Sequence, residues 1–474
     1  MVIGPLDKNK GELWGCCPAL YHQALDKMYC AQTGYQEILP AKLSAYRRKR
    51  YTVEELPAQI MRTVQVPANQ RGSERDLTEL FSRIYKRRGW QRYAPFNRKG
   101  GLNQPYIIFK AKNVTDPVVR EAKLFKTRPI APGTKHPMRR LLHYVGRAWS
   151  FVTAQMVGGH FTINKSADVP RFLEEAAVAL GPMGALKAEI WDIEGCYPNM
   201  PKETIRFALR KVLQDVRQRY DEHGVYVPRF SDAQPCRWQT RRRGMQFIPF
   251  QVMLDVAEFS LDFAMVRMPD GRILRQVEGI PMGDAISPAM TIGACGWMEN
   301  EWLETIAPDT MRYFRAKRFM DDILLIYADS PRFEATRFIS DMQRSECYQA
   351  PLKLEKGNDG TFLETRFRID ERRNAFTYWL KNDNEGGEGT RVWRYHHFHS
   401  CAPFMQRRAT LTACLRKVQQ MASDADTLRI SALAKIAEFR RLRYPVGLLR
   451  KACSYLAATT GERAWLDVRD TLRI

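Results

Sequence analysis

The chain has 474 residues, of which 45% are hydrophobic, a balance that is ordinary for a soluble globular protein of two or three lobes. Lysine and arginine number 75 against 52 aspartate and glutamate residues, and the net charge of +23 favours nucleic acid as a partner over the alternative of a merely basic soluble protein. No window approaches the ~18 apolar residues of a membrane span and the ten cysteines form no CxxC pair, so we expect no membrane association and free thiols inside the cell.

Residues 1–100 are predicted to form a basic N-terminal extension that guides template. They contain 18 lysines and arginines against 9 acids, and they close with the flexible run of residues 97–101. The runs 46–50 and 85–90 interleave basic and aromatic side chains, a pattern that suits the backbone and unpaired bases of a single strand. A solvated face is the alternative, and the run 46–50 would also serve as a nuclear-entry signal.

The middle of the chain mixes short apolar strands with amphipathic helices, so we expect an α+β fold. Residues 186–198 contain an apolar strand that delivers Asp192 at its end and then breaks. A helix is predicted behind Pro201, with an apolar face made of Ile205, Ala208, Leu209, Val212 and Leu213. Three consecutive arginines follow this helix and are candidates for binding nucleic acid: Arg241, Arg242 and Arg243.

Two adjacent acids, Asp321 and Asp322, divide two strongly β-forming runs in residues 313–327, as at a hairpin turn. Neighbouring carboxylates repel each other, so the pair requires exposure or a cation such as Mg²⁺. Phosphoryl transfer uses two divalent ions about 3.5–4 Å apart that are held by convergent carboxylates, and Asp192 would supply the third. Taken alone, an Asp-Asp pair is more often a solvated turn.

The C-terminal segment, residues 390–474, is predicted to form a small helical domain behind the polar, glycine-rich hinge of residues 382–389. A cluster of imidazoles and a thiol lies near its start: His396, His397, His399 and Cys401. These side chains could ligate zinc, but their spacing is too compressed for a tetrahedral site.

Taken in order, three motifs resemble those of reverse transcriptases. The first is an aspartate followed five residues later by an aromatic, Asp192 and Tyr197. The second is the sequence G-x-P-x-G-x-x-x-S-P at 279–288, and the third is F-M-D-D at 319–322, at the predicted hairpin. The resemblance covers about residues 104–450 and implies a right-hand polymerase. Fingers and a palm of antiparallel sheet backed by helices would occupy residues 101–372, and a helical thumb residues 390–474.

The reaction implied by this resemblance extends a primer 3′-hydroxyl with deoxynucleotides on an RNA template. The primer would be DNA or RNA, and two Mg²⁺ ions would act as cofactors, with Mn²⁺ as a possible substitute. Several short sequences look most like Penelope-like element reverse transcriptases, relatives of telomerase: residues 106–110, 127–130, 192–201, 352–356 and 395–400. Many such elements carry a GIY-YIG endonuclease, which is not recognisable in this sequence, so independent target cleavage is not expected.

The resemblance also assigns roles at the chemical centre. Asp192 and Asp321 correspond to the principal metal ligands and Asp322 to their partner acid. Ile193 falls among both the metal-binding and the nucleotide-binding positions. Tyr197 corresponds to a ring beneath the sugar that would clash with a 2′-hydroxyl and so favour deoxynucleotides, with a core tyrosine as the alternative.

Four further positions resemble the pocket of the incoming nucleotide. Arg128 corresponds to the fingers arginine over the triphosphate, where its planar guanidinium suits phosphate oxygens, and Lys126 is a weaker companion. Met282 occupies the position that contacts the template-pairing nucleotide, by apolar packing in this chain. Gly283 follows it in the same nucleotide-binding set.

The remaining assignments concern the leaving group and the primer. Lys356 resembles a general acid for pyrophosphate, with Lys353 as a competitor. Phe362 and Leu363 resemble the primer-grip turn, although both would also suit a plain core. His397 lies where the base of a thumb meets the nucleic-acid backbone.

Two other functions fit parts of this pattern. An RNA-dependent RNA polymerase is the nearest enzymatic alternative, but Tyr197 and the F-M-D-D hairpin disfavour it. A catalytically silent RNA scaffold that keeps a polymerase fold can lose its acids, whereas all three are present here.

Overall fold

The computed structural model describes residues 2–6, 9–30, 34–38, 74–109, 127–156, 158–240, 242–344, 346–357, 360–382, 384 and 394–472. Its strands are β1 (Val2–Leu6), β2 (Asn9–Cys16), β3 (Tyr35–Ile38), β4 (Tyr106–Phe109), β5 (Thr127–Ile130), β6 (Ala185–Ile193), β7 (Gly224–Pro228), β8 (Met245–Pro249), β9 (Met265–Arg267), β10 (Ile273–Gln276), β11 (Phe314–Phe319), β12 (Asp322–Asp329), β13 (Leu354–Lys356), β14 (Thr361–Phe362), β15 (Thr365–Asp370) and β16 (Ala375–Leu380).

The helices are α1 (Pro18–Tyr29), α2 (Glu74–Arg87), α3 (Arg139–Thr153), α4 (Val169–Leu180), α5 (Cys196–Asn199), α6 (Lys202–Tyr220), α7 (Phe250–Asp262), α8 (Ser287–Thr305), α9 (Ala335–Gln343), α10 (Phe404–Gln420), α11 (Ala425–Arg441), α12 (Val446–Thr460) and α13 (Ala464–Thr471). None of these described helices combines the length and the apolar character needed to cross a membrane. The mixed helix and strand content expected from the sequence is confirmed.

A four-stranded antiparallel sheet with the order β11-β12-β6-β13 lies at the centre of the chain. The centre of β12 is buried on both faces, from Ile323 to Ile326, and the neighbouring β6 buries Leu186, Ile190, Trp191 and Ile193. Trp191 and Ile193 of β6 pack into the larger core, which includes buried residues of α3, α6, α7 and α8. The preceding residue, Ile190, packs on the opposite side, against residues of α4 and the small sheet β14-β15-β16.

The helix α6 illustrates how the sequence pattern becomes a packed element. Pro201 stands at its N-cap with extended backbone angles, and its first carbonyl bond is made by Ile205. All five apolar residues predicted for its inner face are buried: Ile205, Ala208, Leu209, Val212 and Leu213. This helix and α8 therefore form the layer that supports the central sheet.

Helix α2, which precedes residue 100, shares the larger core, whereas α1 packs with β4, β9 and β10 in a smaller one. The ring of Phe81 on α2 lies 5.3 Å from the ring of Phe259 on α7, and Glu74 forms an ion pair of 2.6 Å with Arg267. Strand β3 pairs with β10, so even residues 35–38 join a sheet of the later chain. Packing is thus continuous across residue 100 in the described part, and the boundary placed there stays a prediction.

The C-terminal helices α10 to α13 enclose a core of their own. Helix α11 starts at a reciprocal capping box, in which the Asp424 carboxylate accepts a hydrogen bond from the Thr427 backbone while the Thr427 hydroxyl bonds back to the Asp424 amide. Phe439 and Trp465 fill the centre of the bundle. Helices dominate residues 404–471, as the periodicity of this segment predicts.

Candidate active site

Three carboxylates stand in a row across the central sheet. The register pairs Asp322 of β12 with Asp192 of β6, and pairs Asp192 on its other side with Glu355 of β13. Directly paired residues of antiparallel strands project from the same face, with Cα atoms about 4.5–5.5 Å apart. Because like charges in this arrangement repel, the row does not stabilise the sheet by itself and instead offers oxygen ligands to a cation.

Asp321 adjoins this row through the β11–β12 turn. The hairpin closes at the pair Phe319 and Asp322, which leaves Met320 and Asp321 as a two-residue turn. The carbonyl of Asp321 accepts a hydrogen bond of 2.9 Å from the amide of Ile193. Two aspartate-bearing segments that lie far apart along the chain therefore meet at the level of the backbone.

The side chains of the three aspartates are each partly exposed, which leaves them accessible to an ion or a substrate. Nowhere in the described ranges are three His, Cys, Asp or Glu side chains already gathered around a point that could hold a metal. The register thus aligns the acids, while their carboxylates do not converge in this conformation. Ile193 has a buried hydrocarbon side chain, so only its backbone oxygen is suited to an ion.

Backbone strain marks the two-residue turn between β11 and β12. Met320 has a φ of 59°, in the left-handed region that a non-glycine residue enters at a cost of roughly 1–2 kcal/mol. The guanidinium of Arg318 donates a hydrogen bond of 2.9 Å to the Met320 carbonyl and holds the turn from below. Sequence reasoning missed Arg318, because an arginine in a basic run is ordinarily a solvated residue.

The aromatic residue after the first aspartate is held against the glycine loop. The carbonyl of Tyr197 accepts a hydrogen bond of 2.7 Å from the Ile280 amide. A Cβ on Gly279, whose φ is 73°, would lie 2.4 Å from the carbonyl oxygens of Tyr197 and Pro198, so only glycine permits this approach. Burial raises the pKa of Tyr197 to about 12, and its hydroxyl is hydrogen-bonded to Thr291.

The glycine loop also contacts the hairpin that carries Arg128. The amide of Ala131, just past the end of β5, donates a hydrogen bond of 2.7 Å to the carbonyl of Met282. A Cβ on Gly283 would lie 2.6 Å from the Ala131 carbonyl oxygen, so this contact also requires glycine. Arg128 is half-buried on β5, opposite Ile108 of β4. The predicted nucleotide-binding residues on the loop and on β5 therefore belong to two directly bonded segments, while Lys126 lies outside the described residues.

No protein-family model matches the sequence, and no curated protein matches it by sequence. In three dimensions the chain is similar to the telomerase from Candida albicans in complex with a TWJ fragment of telomeric RNA. The TM-score is 0.53 at 12% identity, and the match covers 85% of this chain and 68% of that one. The chain has a polymerase-like fold.

Two further solved structures match less well. The apo telomerase from Candida tropicalis has a TM-score of 0.43 at 12% identity, over 83% of this chain and 65% of that one. The 3Dpol RNA-dependent RNA polymerase of Sicinivirus has a TM-score of 0.42 at 12% identity, over 80% of this chain and 71% of that one. At such identities the likeness concerns the fold alone.

Within this polymerase-like fold, Lys356 is not brought together with the aspartates. It pairs with Trp191, one residue before Asp192, and its Nζ lies 6.0 Å from the centre of the Trp191 ring. Because successive side chains of a strand point to opposite faces, Lys356 and Asp192 project on opposite sides of the sheet. Lys353, whose carbonyl accepts a hydrogen bond of 2.8 Å from Glu194, shares the face of Asp192 by the same alternation.

The predicted primer-grip pair divides into a core residue and a turn residue. Phe362 is 1% exposed and packs in the core formed with α4 and β12. It is therefore a core residue and cannot contact nucleic acid. Leu363 is half-buried in the two-residue turn between β14 and β15 and has a φ of 55°. Of the two, only Leu363 is placed to meet a ligand.

The second residue of that turn, Glu364, joins the sheet to the C-terminal bundle. Its carboxylate accepts a hydrogen bond of 2.9 Å from Ser166 and forms an ion pair with Lys417 of α10. Burial alone would raise the pKa of Glu364, but the hydrogen bond and charge of Lys417 prevail and hold it below its ordinary value. Nothing in the local sequence distinguishes this glutamate, because its lysine partner lies 53 residues away.

The remaining predicted contacts with nucleic acid lie on exposed surface. Arg242 and Arg243 are exposed in the segment that connects β7 and β8, while Arg241 lies outside the described residues. His397 is exposed, and its ring lies 5.6 Å from that of His399. The zinc interpretation gains no support, since no gathered metal-ligand group is found in the ranges that the structure describes.

Proposed function

We propose that this protein is an RNA-directed DNA polymerase that adds deoxynucleotides to the 3′-hydroxyl of a primer. The observation that carries the proposal is the register of the central sheet, which sets Asp322 directly beside Asp192 and leaves Asp321 in the adjoining turn. A row of like charges at the exposed end of a sheet has a chemical purpose in a polymerase that it lacks in a structural domain.

The donor set fits hard divalent cations, which prefer carboxylate and carbonyl oxygens. Asp192, Asp321 and Asp322, with the backbone oxygen of Ile193, would hold two Mg²⁺ ions, and Mn²⁺ would substitute. When bound, these ions would supply the positive charge that lowers the pKa of the attacking hydroxyl and neutralises the leaving phosphate. The aspartates themselves would be the ligands, and they keep this end of the central strands polar.

Neighbouring residues would bind the nucleotide. Arg128 would donate its planar N–H groups to triphosphate oxygens, while Tyr197, held by Ile280, would pack beneath the sugar. Met282 and Gly283 would form the apolar platform for the pairing base. For protonation of pyrophosphate we favour Lys353 over Lys356, because it shares the face of the aspartates.

The wider organisation follows the same proposal. Residues 101–372 would act as fingers and palm and the C-terminal helices as thumb, with RNA as template and DNA or RNA as primer. The motifs favour the Penelope-like group, which stays a prediction from sequence. An intracellular location follows from this activity, and a nuclear one if residues 46–50 act as an entry signal.

The decisive test is primer extension by Asp321→Asn. With Mg²⁺ and a defined primer on an RNA template, we expect extension to fall by at least ~100-fold while primer-template binding stays close to that of the unaltered protein. Asp329→Asn, at the far end of the same strand β12, is the matched control and should extend normally. Undiminished synthesis by Asp321→Asn would refute the proposal.

The same assay separates the two alternative functions. The unaltered protein should prefer deoxynucleotides, and Tyr197→Val should raise the relative use of ribonucleotides by ~10-fold or more. Preference of the unaltered protein for ribonucleotides would instead identify an RNA-dependent RNA polymerase. Tight RNA binding without metal-dependent extension would identify a silent scaffold.

A further inference from the structure

A completely buried ion pair lies directly beneath the turn Met320-Asp321, which the proposed function makes the catalytic hairpin turn. Arg318, near the end of β11, and Glu299, on α8, each have side chains that are 0% exposed. They are joined twice, by a contact between Arg318 Nε and Glu299 Oε1 and by a hydrogen bond of 3.3 Å from Arg318 Nη2 to Glu299 Oε2. The fork of the guanidinium is thus matched to both oxygens of the carboxylate.

Each of the three guanidinium nitrogens of Arg318 donates at least one hydrogen bond. Its Nη1 donates a hydrogen bond of 2.9 Å to the carbonyl of Met320, the strained residue of the turn, and its Nη2 donates one of 2.9 Å to the hydroxyl of Thr162. One planar group therefore joins the turn to helix α8 and to the segment at Thr162.

Glu299 is held in turn by groups from two other segments. The hydroxyl of Tyr348 donates a hydrogen bond of 2.7 Å to Oε1, and the amide of Phe161 donates one of 2.8 Å to Oε2. The backbone of Arg318 also bonds to this region, since its amide donates to the Phe161 carbonyl at 2.6 Å and its carbonyl accepts from Ile163 at 2.9 Å. The position of the guanidinium is consequently fixed from several directions.

Stability alone is a poor reason for such a pair. Burying two charges is costly, and well-packed hydrophobic residues of similar volume are often at least as stabilising. What a hydrophobic pair would lack is a donor aimed at the Met320 carbonyl. The hydrogen bond from Arg318 holds Met320 in its left-handed conformation. If this donor were removed, the backbone of the turn could relax and move Asp321.

We propose that Arg318 is a positioning residue for the catalytic hairpin: through Met320 it holds Asp321 in place beside Asp192, and Glu299 holds Arg318. The inference rests on the proposed polymerase function and deepens it. Lysine could keep the charge next to Glu299, but it lacks the planar fork that reaches the carboxylate, Thr162 and Met320 at once.

The test is the kinetics of Arg318→Lys in the full chain, at a temperature where circular dichroism shows each variant folded. We expect kcat for primer extension to fall ~10-fold or more, with primer-template affinity nearly unchanged, because a small displacement of Asp321 acts on the chemical step. The Mg²⁺ concentration for half-maximal extension should rise as well. A role in stability alone would move neither quantity once the protein is folded.

Glu438→Gln is the matched control, because it breaks a nearly buried ion pair far from the hairpin, in which Lys435 and Glu438 are 8% and 13% exposed. It should lower the unfolding temperature but leave kcat and the Mg²⁺ midpoint within about twofold of the unaltered protein. If Arg318→Lys does not fold, Thr162→Val removes one partner of the guanidinium while keeping the ion pair, and it should shift both quantities in the same direction by less.

An unaltered kcat and Mg²⁺ midpoint in the folded variant would overturn the inference. The Asp321→Asn measurement tells the two failures apart. If Asp321→Asn is inactive while Arg318→Lys behaves like the unaltered protein, the positioning role is wrong and the proposed function stands. If Asp321→Asn extends primers normally, the proposed function itself has failed.

Discussion

Two hairpin turns of the polymerase-like fold share one local geometry and differ in what holds them. The first turn is Met320-Asp321 and the second is Leu363-Glu364. Each connects paired strands through two residues, and the first residue of each has a positive φ, 59° and 55° respectively. The first turn is held by a guanidinium inside the core. The second is held by the half-exposed carboxylate of its own Glu364, which forms an ion pair with Lys417 in the C-terminal bundle.

The same turn geometry is thus combined with a buried ion pair in one case and with a solvent-exposed ion pair in the other. The Met320-Asp321 turn is bonded to a fully buried ion pair, which fixes it relative to the sheet. A turn bonded to a surface lysine of α10 couples the sheet to the C-terminal bundle, with an energy that water can replace.

The largest expected contrast concerns the free energy of unfolding. Glu299→Gln leaves the Arg318 charge buried without its counterion, and we expect a loss of about 3–5 kcal/mol. Glu364→Gln should cost less than ~1 kcal/mol, because both members of its ion pair are 38% exposed and screened by solvent. Urea denaturation of both variants measures the contrast, and equal losses would remove the distinction between the two turns.

The second contrast is kinetic. Lys417→Met should weaken primer-template affinity by a few-fold, about 2–5 times, with a smaller effect on kcat, because it releases the turn beside Leu363 rather than the acids. Arg416→Met is the matched control, since it removes the same charge from the adjacent exposed position of α10. An equal loss of affinity in both variants would mean that only net charge matters.

The third contrast depends on pH. The pKa of Glu364 is held below its ordinary value of 4.5, so its ion pair stabilises the fold fully above that pH and loses this contribution as the pH falls through the lowered value. The difference in unfolding temperature between the unaltered protein and Glu364→Gln should therefore shrink as the pH falls below the ordinary pKa of 4.5. A difference that grows on acidification would contradict the assignment.

The smallest effects are expected from relieving the backbone strain itself. Glycine adopts a positive φ freely, so Met320→Gly and Leu363→Gly each recover roughly 1–2 kcal/mol of strain and lose a comparable amount of side-chain packing and chain entropy. We expect net changes in unfolding free energy within ~1 kcal/mol for both. A loss well above this in urea denaturation would show that the side chains, and not the polar groups behind them, hold the turns.

Local features were readable from the sequence because they depend on spacing alone. The apolar run that ends at Asp192, the hairpin around Asp321 and the buried face of α6 follow from periods of two and of about 3.6 residues, and the structure contains each of them. The mixed α and β fold followed from the same patterns. These inferences needed no knowledge of which strand lies beside which.

Only the tertiary structure decided the partners. The register between β13 and β6 pairs Glu355 with Asp192 and Lys356 with Trp191. Lys356 therefore lies on the face opposite Asp192. The burial of Phe362, the packing of α2 across residue 100 and the ion pair between Arg318 and Glu299 all join residues whose closeness no local period encodes. Spacing along a chain determines which side of an element a residue occupies, whereas long-range packing determines what it meets there.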